Sequence, residues 1–293
     1  MLSPVPLVES APAKVNLTLR VLGRRADSYH DIESLVVFAD FGDTLSLAPG
    51  GALALDLRGP RAVEAGDEAD NLVIKAARAL AERVAGLKLG AFHLEKIIPV
   101  AAGLGGGSAD AAAALRLLAR ANGLELDDPR LVDAARATGA DVPVCLDPRS
   151  RLMRGIGEVL SAPLDLPAMP ALLVNPGVAL STKAVFAGWS AAASRPAALD
   201  LGGLGKPPNF AQLLQVLSQQ ANDLEMPAIK LSPLIAKVLV ALRALPGCAL
   251  ARMSGSGASC FALFASMAEA NAAAALLRAK YPDWWQRSSV LGG

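Results

Sequence analysis

The order of apolar and polar residues predicts strands at the start of the chain. The segment AKVNLTLRVLG (13–23) alternates apolar and polar residues, as a half-buried strand does. The polar stretch RRADSYHD (24–31) has the composition of a loop. Residues 32–49 predict two more strands that join near Gly42.

The rest of the chain mixes helical and strand patterns, which predicts an α/β or α+β fold. Predicted helices cover 71–87, the run after a glycine loop to about 123, 129–143, most of 204–245, and 267–282. Predicted strands cover 89–99, 170–177 and the end of 252–264, after a second glycine-rich turn.

Proline-rich sequence near Pro163 predicts a domain boundary, with one domain over 1–162 and the other over 163–293. The stretch 187–208 lacks periodicity and is predicted to be a long surface loop.

Composition and charge favour a globular protein without a nucleic-acid partner. A chain of 293 residues that is 53% hydrophobic and 19% charged is globular and long enough for two domains. Its net charge of +1 argues against a nucleic-acid partner. Three scattered cysteines argue for a reducing compartment, and the N-terminus shows no signal peptide. No apolar run is long enough to cross a membrane, so we expect a soluble cytoplasmic protein.

The most informative segment is PVAAGLGGGSADAAAAL (99–115), where glycines directly precede an alanine-rich helix. Glycine lets the backbone approach a ligand, and the first amides of a helix attract anions. We expect Ser108 to be the N-cap and Asp110 to lie in the first turn. The segment therefore predicts a phosphate cradle, with a plain glycine turn as the alternative.

Two common phosphate motifs do not match this segment. A Walker A loop needs a lysine after its glycines, and none is present. A dinucleotide-binding fingerprint needs a third glycine where Ser108 stands, and it belongs to a first strand–helix turn. A plain NAD-binding protein is thus disfavoured.

The full segment resembles the ATP-binding motif of the GHMP kinase superfamily, of the form P-x(3)-G-L-G-S/G-S-A/S-A. The segment PAKVNLTLRVLGRRADSYHDIESL (12–35) is similar to the N-terminus of one family in it. That family phosphorylates the 2-hydroxyl of 4-diphosphocytidyl-2-C-methyl-D-erythritol in the non-mevalonate isoprenoid pathway. Further similar segments are DNLV (70–73), GADVPV (139–144), GIGEVL (155–160), NPGVALST (175–182), ANDLE (221–225) and SGSGASCF (254–261).

The resemblance implies a two-domain GHMP kinase fold, with an N-terminal α/β nucleotide-binding domain and a C-terminal ferredoxin-like domain. It also implies ATP and Mg²⁺ as cofactors and a small cytidine diphosphate-linked polyol as substrate. It leaves direct metal ligands undetermined, and the protein is expected to be a monomer or homodimer without a nucleic-acid or membrane partner.

The resemblance also implies the roles of individual residues. Asp141 is the expected catalytic base, with Lys14 as its partner and charge stabiliser. The alternatives from the residues alone are a turn aspartate and a solvated lysine. The resemblance places Asn71 and Lys96 near the base of ATP, with a charge at a strand end as the alternative for Lys96. The expected ATP-binding residues are Asn71, Lys96, Pro99, Val100, Ala101, Ala102, Gly103, Leu104, Gly105, Gly106, Gly107, Ser108 and Ala109.

Substrate recognition is expected at five further residues. The resemblance implies that Tyr29 and Phe186 flank the cytosine and that His30 hydrogen-bonds its edge. It places Asn16 and Thr182 near the diphosphate and the polyol. The turn SGSGAS, starting at residue 254, resembles a C-terminal glycine motif of the superfamily, with a plain hairpin as the alternative.

Two other functions stay open on the sequence. One is another kinase of the superfamily, such as a homoserine or mevalonate-type kinase, although PAKVNLTL and RRADSYH argue against it. The other is a catalytically silent relative that binds nucleotide, although the presence of both Lys14 and Asp141 argues against that.

Overall fold

The computed structural model describes residues 6–190, 199 and 208–292. The predicted loop over 187–208 lies for the most part outside these described residues. The chain forms two compact units, and both are discontinuous in sequence. The first unit holds the described residues up to Lys14, together with Phe41–Val100 and Gly105–Pro148. The second holds Val15–Asp40, Ala101–Leu104 and the described residues from Arg149 onward. The boundary expected near Pro163 stays a prediction.

Strands β1 and β3 contribute to both units. Strand β1 covers Leu7–Asn16 and pairs with β3, which covers His30–Pro49. The expected break near Gly42 is wrong, because β3 continues through it. A Cβ at Gly42 would stand 2.2 Å from the carbonyl oxygen of Ala11 on β1, so this glycine permits close strand contact.

The first unit packs helices against a short sheet. Its further strands are β4 (Ala54–Arg58) and β5 (Gly90–Glu95), which pair in parallel, and β5 pairs antiparallel with the end of β3. Its helices are α1 (Leu72–Ala81), α2 (Gly106–Asn122), α3 (Pro129–Thr138) and α4 (Val142–Leu146). Helix α2 is buried over most of its length and contacts α1, α3 and α4. Its alanines favour the helix and leave room for close packing.

Two helix boundaries in this unit differ from expectation. Helix α1 ends at Ala81 rather than near Gly86, and the chain continues as a turn from Glu82, where the N–H of Arg83 bonds to the carbonyl of Leu80, three residues back, at 3.0 Å. Helix α2 begins at Gly106, with Gly105 as its N-cap, so the expectation that Ser108 is the N-cap is wrong. Gly105 adopts φ +63°, which starts the helix before the serine.

The second unit contains an antiparallel sheet of ferredoxin type. Its strands are β8 (Met169–Asn175), β9 (Leu250–Met253), β10 (Cys260–Leu263) and β11 (Trp285–Leu291), in the spatial order β11–β8–β10–β9. Helix α9 (Met267–Lys280) packs against β8 and β11. This order agrees with the ferredoxin-like C-terminal domain that the family resemblance implied.

The remaining elements of the second unit surround this sheet and the first half of β3. Strands β2 (Arg20–Arg24) and β6 (Arg151–Gly155) pair with β3, and β7 (Val159–Leu160) pairs with β6. Helices are α5 (Thr182–Ala187), α6 (Phe210–Ser218), α7 (Glu225–Leu231) and α8 (Leu234–Arg243). Strands β4, β6, β7, β9 and β11 were not predicted from the sequence. The single strand predicted over 13–23 is wrong, because β1 ends at Asn16 and β2 begins only at Arg20.

Candidate functional site

Lys14 and Asp141 form an ion pair in the first unit. Lys14 lies on β1 with its side chain 4% exposed, and its Nζ is 2.9 Å from Asp141 Oδ2. Asp141 is the N-cap of α4, yet its side chain makes no capping hydrogen bond to that helix. The carboxylate contacts Lys14 rather than its own turn. It is 36% exposed, so a ligand can reach it.

The start of α2 packs directly against Lys14. A Cβ added at Gly105 would lie 3.0 Å from both Cβ and Cε of the lysine. The first intrahelical bond joins the N–H of Ala109 to the carbonyl of Gly105 at 2.9 Å. The N–H groups of Gly106, Gly107 and Ser108 therefore precede the helical ladder, and such groups at a helix start can serve as anion donors. The predicted phosphate cradle and the predicted catalytic pair are neighbours in one unit.

The earlier part of the glycine segment belongs to the second unit and packs against the turn Ser254–Gly257. Ser254 Oγ donates to the carbonyl of Gly103 at 2.9 Å, and Ser259 N–H donates to the carbonyl of Ala102 at 3.0 Å. Gly103 has φ +73°, and a Cβ there would lie 2.6 Å from the carbonyl oxygen of Ser254. No other residue fits this position without shifting the turn.

Lys96 and Asp110 belong to a buried cluster that also contains Asp43. Lys96 Nζ bonds to Asp43 Oδ2 and, at 2.8 Å, to Asp110 Oδ2. All three side chains are at most 4% exposed. Burial, together with the like charge of Asp43, raises the pKa of Asp110 to about 8, although Lys96 opposes the shift. Because α2 begins at Gly106, Asp110 lies in the second turn of the helix and not in the first turn as expected.

Asn71 is placed at the N-terminus of α1. Its Oδ1 accepts a hydrogen bond from the N–H of Val73 at 2.9 Å, and this bond caps the helix. The expected contact of Asn71 with the nucleotide base stays a prediction.

Aromatic rings gather in the second unit at the predicted cytosine site. The His30 ring stacks on Phe186 with a centroid distance of 5.1 Å. Trp189 meets the same imidazole edge-on at 5.7 Å. Partial burial, and to a lesser degree Arg24, lowers the pKa of His30, which favours its neutral form.

Tyr29 projects from the loop before β3 and is 58% exposed. The loop is held by ion pairs from Arg25 to Asp27 and Asp31 at 3.2 and 3.3 Å. Ser28 has φ +72°, and Ala101 in the glycine segment has φ +52°. Within the described ranges these are the non-glycine residues with positive φ. Such strained backbone clusters at functional sites, and here it marks both predicted ligand loops.

The two remaining predicted substrate residues both contact the turn Ser254–Gly257. The N–H of Asn16 donates to Ser254 Oγ at 3.0 Å, and its side chain donates to Ser34 Oγ at 2.7 Å. Thr182 Oγ1 is 2.9 Å from Ser256 Oγ. The turn therefore connects predicted substrate residues with the backbone of Gly103.

Sequence reasoning missed Asp43 and Trp189. Asp43 is fully buried between apolar positions of β3, and an acidic residue inside such a strand is a signal that could have singled it out. Trp189 follows α5 in a glycine-containing stretch, and nothing in its sequence context points to His30.

No helix among the described residues is long and apolar enough to span a membrane. The same part of the chain contains no group of three or more His, Cys, Asp or Glu side chains that could hold a metal ion. Its three cysteines are free thiols.

Comparison with known proteins gives consistent matches along the chain. The model of the GHMP kinases N terminal domain matches residues 71–147, and that of the GHMP kinases C terminal domain matches residues 198–283. A 4-diphosphocytidyl-2-C-methyl-D-erythritol kinase of Rhodopseudomonas palustris (strain BisB18) is 57% identical over 100% of this chain and 97% of its own. A protein of the same name from Bradyrhizobium diazoefficiens is 56% identical over 99% and 100%.

Solved structures agree with these matches. A crystal structure of 4-(cytidine 5'-diphospho)-2C-methyl-D-erythritol kinase has 34% identity and a TM-score of 0.76, covering 98% of this chain and 100% of its own. Homoserine kinase from Cytophaga hutchinsonii shares the fold at 21% identity with a TM-score of 0.71, covering 99% and 95%. The predicted two-domain GHMP kinase fold is confirmed. The chain belongs to the GHMP kinases, which are ATP-dependent small-molecule kinases, and within them to the family of 4-diphosphocytidyl-2-C-methyl-D-erythritol kinases.

Proposed function

We propose that this protein transfers the γ-phosphoryl group of ATP, with Mg²⁺, to the 2-hydroxyl of 4-diphosphocytidyl-2-C-methyl-D-erythritol. The reaction belongs to the non-mevalonate route to isoprenoid precursors. The observation that carries the proposal is the Lys14–Asp141 pair, 2.9 Å apart, packed against the glycine that starts α2. The family's curated relatives bear the name of this activity.

Phosphoryl transfer needs positioning and charge neutralisation more than covalent participation of the protein. In our proposal Asp141 accepts the proton of the attacking hydroxyl, because its carboxylate is exposed and is not used as a helix cap. Lys14 orients that carboxylate and supplies a fixed positive charge for the developing negative charge. The ammonium is already desolvated, so its effect on nearby charge is stronger than in water.

The nucleotide phosphates are assigned to the N-terminus of α2. The N–H groups of Gly106, Gly107 and Ser108 supply donors there, and Asn71 and Lys96 belong to the predicted nucleotide set. Magnesium usually enters such sites with phosphate oxygens and water among its ligands. We assign it to the nucleotide, where it neutralises phosphate charge.

The cytidyl group is assigned to the aromatic residues of the second unit. Tyr29 and Phe186 supply rings for stacking, and His30 supplies a polar edge that can tell cytosine from uracil. Asn16 and Thr182, with the turn Ser254–Gly257, supply polar groups for the diphosphate and the polyol. The cytoplasmic location and the state of monomer or homodimer remain predictions.

The test is a substrate panel with ATP and Mg²⁺. The purified chain is mixed separately with the cytidyl substrate, its uridyl analogue, homoserine and mevalonate, and ADP release is followed. Phosphorus NMR of the product shows which hydroxyl carries the new phosphate. We expect turnover of the cytidyl substrate at its 2-hydroxyl. Turnover of homoserine or mevalonate without the cytidyl substrate would contradict the proposal, and a chain that binds ATP but phosphorylates none of the four would support the silent-relative alternative.

A further inference from the structure

The buried cluster of Asp43, Lys96 and Asp110 connects the two ends of the glycine segment. Asp43 Oδ1 accepts hydrogen bonds from the N–H groups of Ile97 and Ile98 at 2.5 and 2.8 Å, just before the segment begins at Pro99. Asp110 lies in the second turn of α2, directly after Ala109, the last residue of the glycine segment that is expected to bind ATP. Lys96 Nζ binds both carboxylates and so joins the two ends.

The lysine also lies against the first helical residue. A Cβ at Gly106 would stand 3.0 Å from Lys96 Nζ and 3.1 Å from Cγ2 of Ile98. Gly106, the first residue of α2, therefore packs directly against the ammonium group of Lys96. Lys96 Nζ donates hydrogen bonds to the buried carboxylates of Asp43 and Asp110. A lysine held in this way is poorly placed to contact the base of a bound nucleotide.

Three buried ionisable groups are costly for folding. Moving charges out of water costs several kcal/mol per ion, and apolar replacements of buried ion pairs are often neutral or stabilising. Asp110 Oδ1 is buried without a hydrogen-bond partner, which adds to the cost. A raised pKa for Asp110, due first to burial, lessens this cost by favouring its neutral form. Stability alone is thus a weak reason for the cluster.

We propose that Asp43, Lys96 and Asp110 act together as positioning residues, which hold both ends of the glycine segment so that its N–H groups are set for the phosphates of ATP. This inference rests on the proposed function and assigns Lys96 a role other than contact with the nucleotide base. Because the cluster acts on the backbone, it governs binding of the phosphate chain and is indifferent to the base.

The test compares ligands that share phosphates and differ in the base. Dissociation constants of ATP, GTP and inorganic tripolyphosphate, each with Mg²⁺, are measured by calorimetry. The key variant combines Lys96→Met, Asp43→Asn and Asp110→Asn, which removes the ion pairs and leaves no buried charge unpaired. The matched control is Glu9→Gln, which removes the charge from another partly buried ion pair, made at 3.0 Å with Arg116 of the same helix, and keeps the hydrogen bonds of Arg116 to the carbonyls of Ser10 and Cys145.

We expect the triple variant to fold and to bind all three ligands about tenfold more weakly or worse, by a similar factor for each. Its KM for ATP rises more than its kcat falls, and its affinity for the cytidyl substrate stays parental. The control variant changes thermal stability but none of these constants. The single variant Lys96→Met, if it folds, should also bind ATP, GTP and tripolyphosphate more weakly by a similar factor for each.

Two results would overturn the inference. One is a folded triple variant with parental affinity for tripolyphosphate and ATP. The other is a loss confined to ATP, with tripolyphosphate unaffected, because that pattern shows Lys96 reading the base. A parental protein that fails to bind ATP would instead contradict the proposed function, so the two failures are distinguishable.

Discussion

Gly105 and Gly123 bracket helix α2, and substituting each by alanine separates a backbone effect from an effect on the site. Both have positive φ, +63° and +67°. Alanine in this left-handed conformation costs about 1–2 kcal/mol. A Cβ at Gly123 meets nothing within 4 Å, whereas one at Gly105 lies 3.0 Å from Cβ and Cε of Lys14. The two variants thus share a conformational cost and differ in one contact.

We expect Gly123→Ala to lower the thermal midpoint by roughly 2–6 °C and to leave the kinetics unchanged. Gly105→Ala should lose at least as much stability and also displace Lys14 by a few tenths of an ångström or more. Small misplacements of reacting groups are expensive, so kcat/KM should fall on the order of 10–100-fold.

The assay is steady-state ADP release with the cytidyl substrate, with thermal melts of both variants and the parent. The reasoning is refuted if Gly105→Ala retains parental kcat/KM while its midpoint falls as far as that of Gly123→Ala. In that case the contact with Lys14 has no part in the chemistry, and Gly105 serves the backbone alone.

Three further predictions concern substrate choice and pH. Tyr29→Ala and Phe186→Ala should each weaken cytidyl substrate binding on the order of tenfold, since stacking contributes about 1–3 kcal/mol per base. The ratio of kcat/KM for the cytidyl and uridyl analogues should stay near that of the parent. His30→Gln should erode that ratio, and Trp189→Leu, which removes the ring against His30, should erode it in the same direction; unchanged ratios in both would exclude edge reading by His30. Asp110→Asn tests the pKa of about 8 for the Asp110 carboxyl. In the parent, that carboxyl keeps its proton in the folded state up to about pH 8 but loses it in the unfolded state above about pH 4. The free energy of unfolding of the parent, relative to that of the variant, should therefore fall as pH rises from about 5 to 8. Chemical denaturation across that range checks the slope, and an equal pH dependence in both proteins would show that Asp110 ionises normally.

Elements that are determined by their own local sequence were predicted, and elements that depend on contacts with distant residues were missed. Alanine-rich sequence located α2 and α9, because alanine favours a helix whatever that helix packs against. Strand β11 was missed, since WQRSSVL has no clean alternation, and it is held instead by pairing along its length with β8. Gly42 was mistaken for a break because its role depends on Ala11, which is distant in sequence.

In the candidate site, too, residues in short local motifs were predicted, whereas residues whose roles depend on distant contacts were missed. The glycine segment and Asp141 stand in short motifs, so the resemblance could identify them. The roles of Asp43 and Trp189 depend on contacts that only folding creates, with Lys96 and His30 respectively. Ser108 was the expected N-cap of α2 because serine caps helices well, but the N-cap is Gly105, which adopts a left-handed conformation.

The most direct test of the account is single-turnover phosphoryl transfer by Asp141→Asn, with Asp133→Asn as control. Asp133 makes an exposed ion pair with Arg136 at 3.4 Å, so the control repeats the chemical change away from the site. We expect Asp141→Asn to transfer phosphate to the cytidyl substrate about 10²–10⁴-fold more slowly, with ATP binding within a few-fold of the parent. Asp133→Asn should behave as the parent does. Transfer by Asp141→Asn at a rate near that of the control would contradict the assignment of Asp141 as the base.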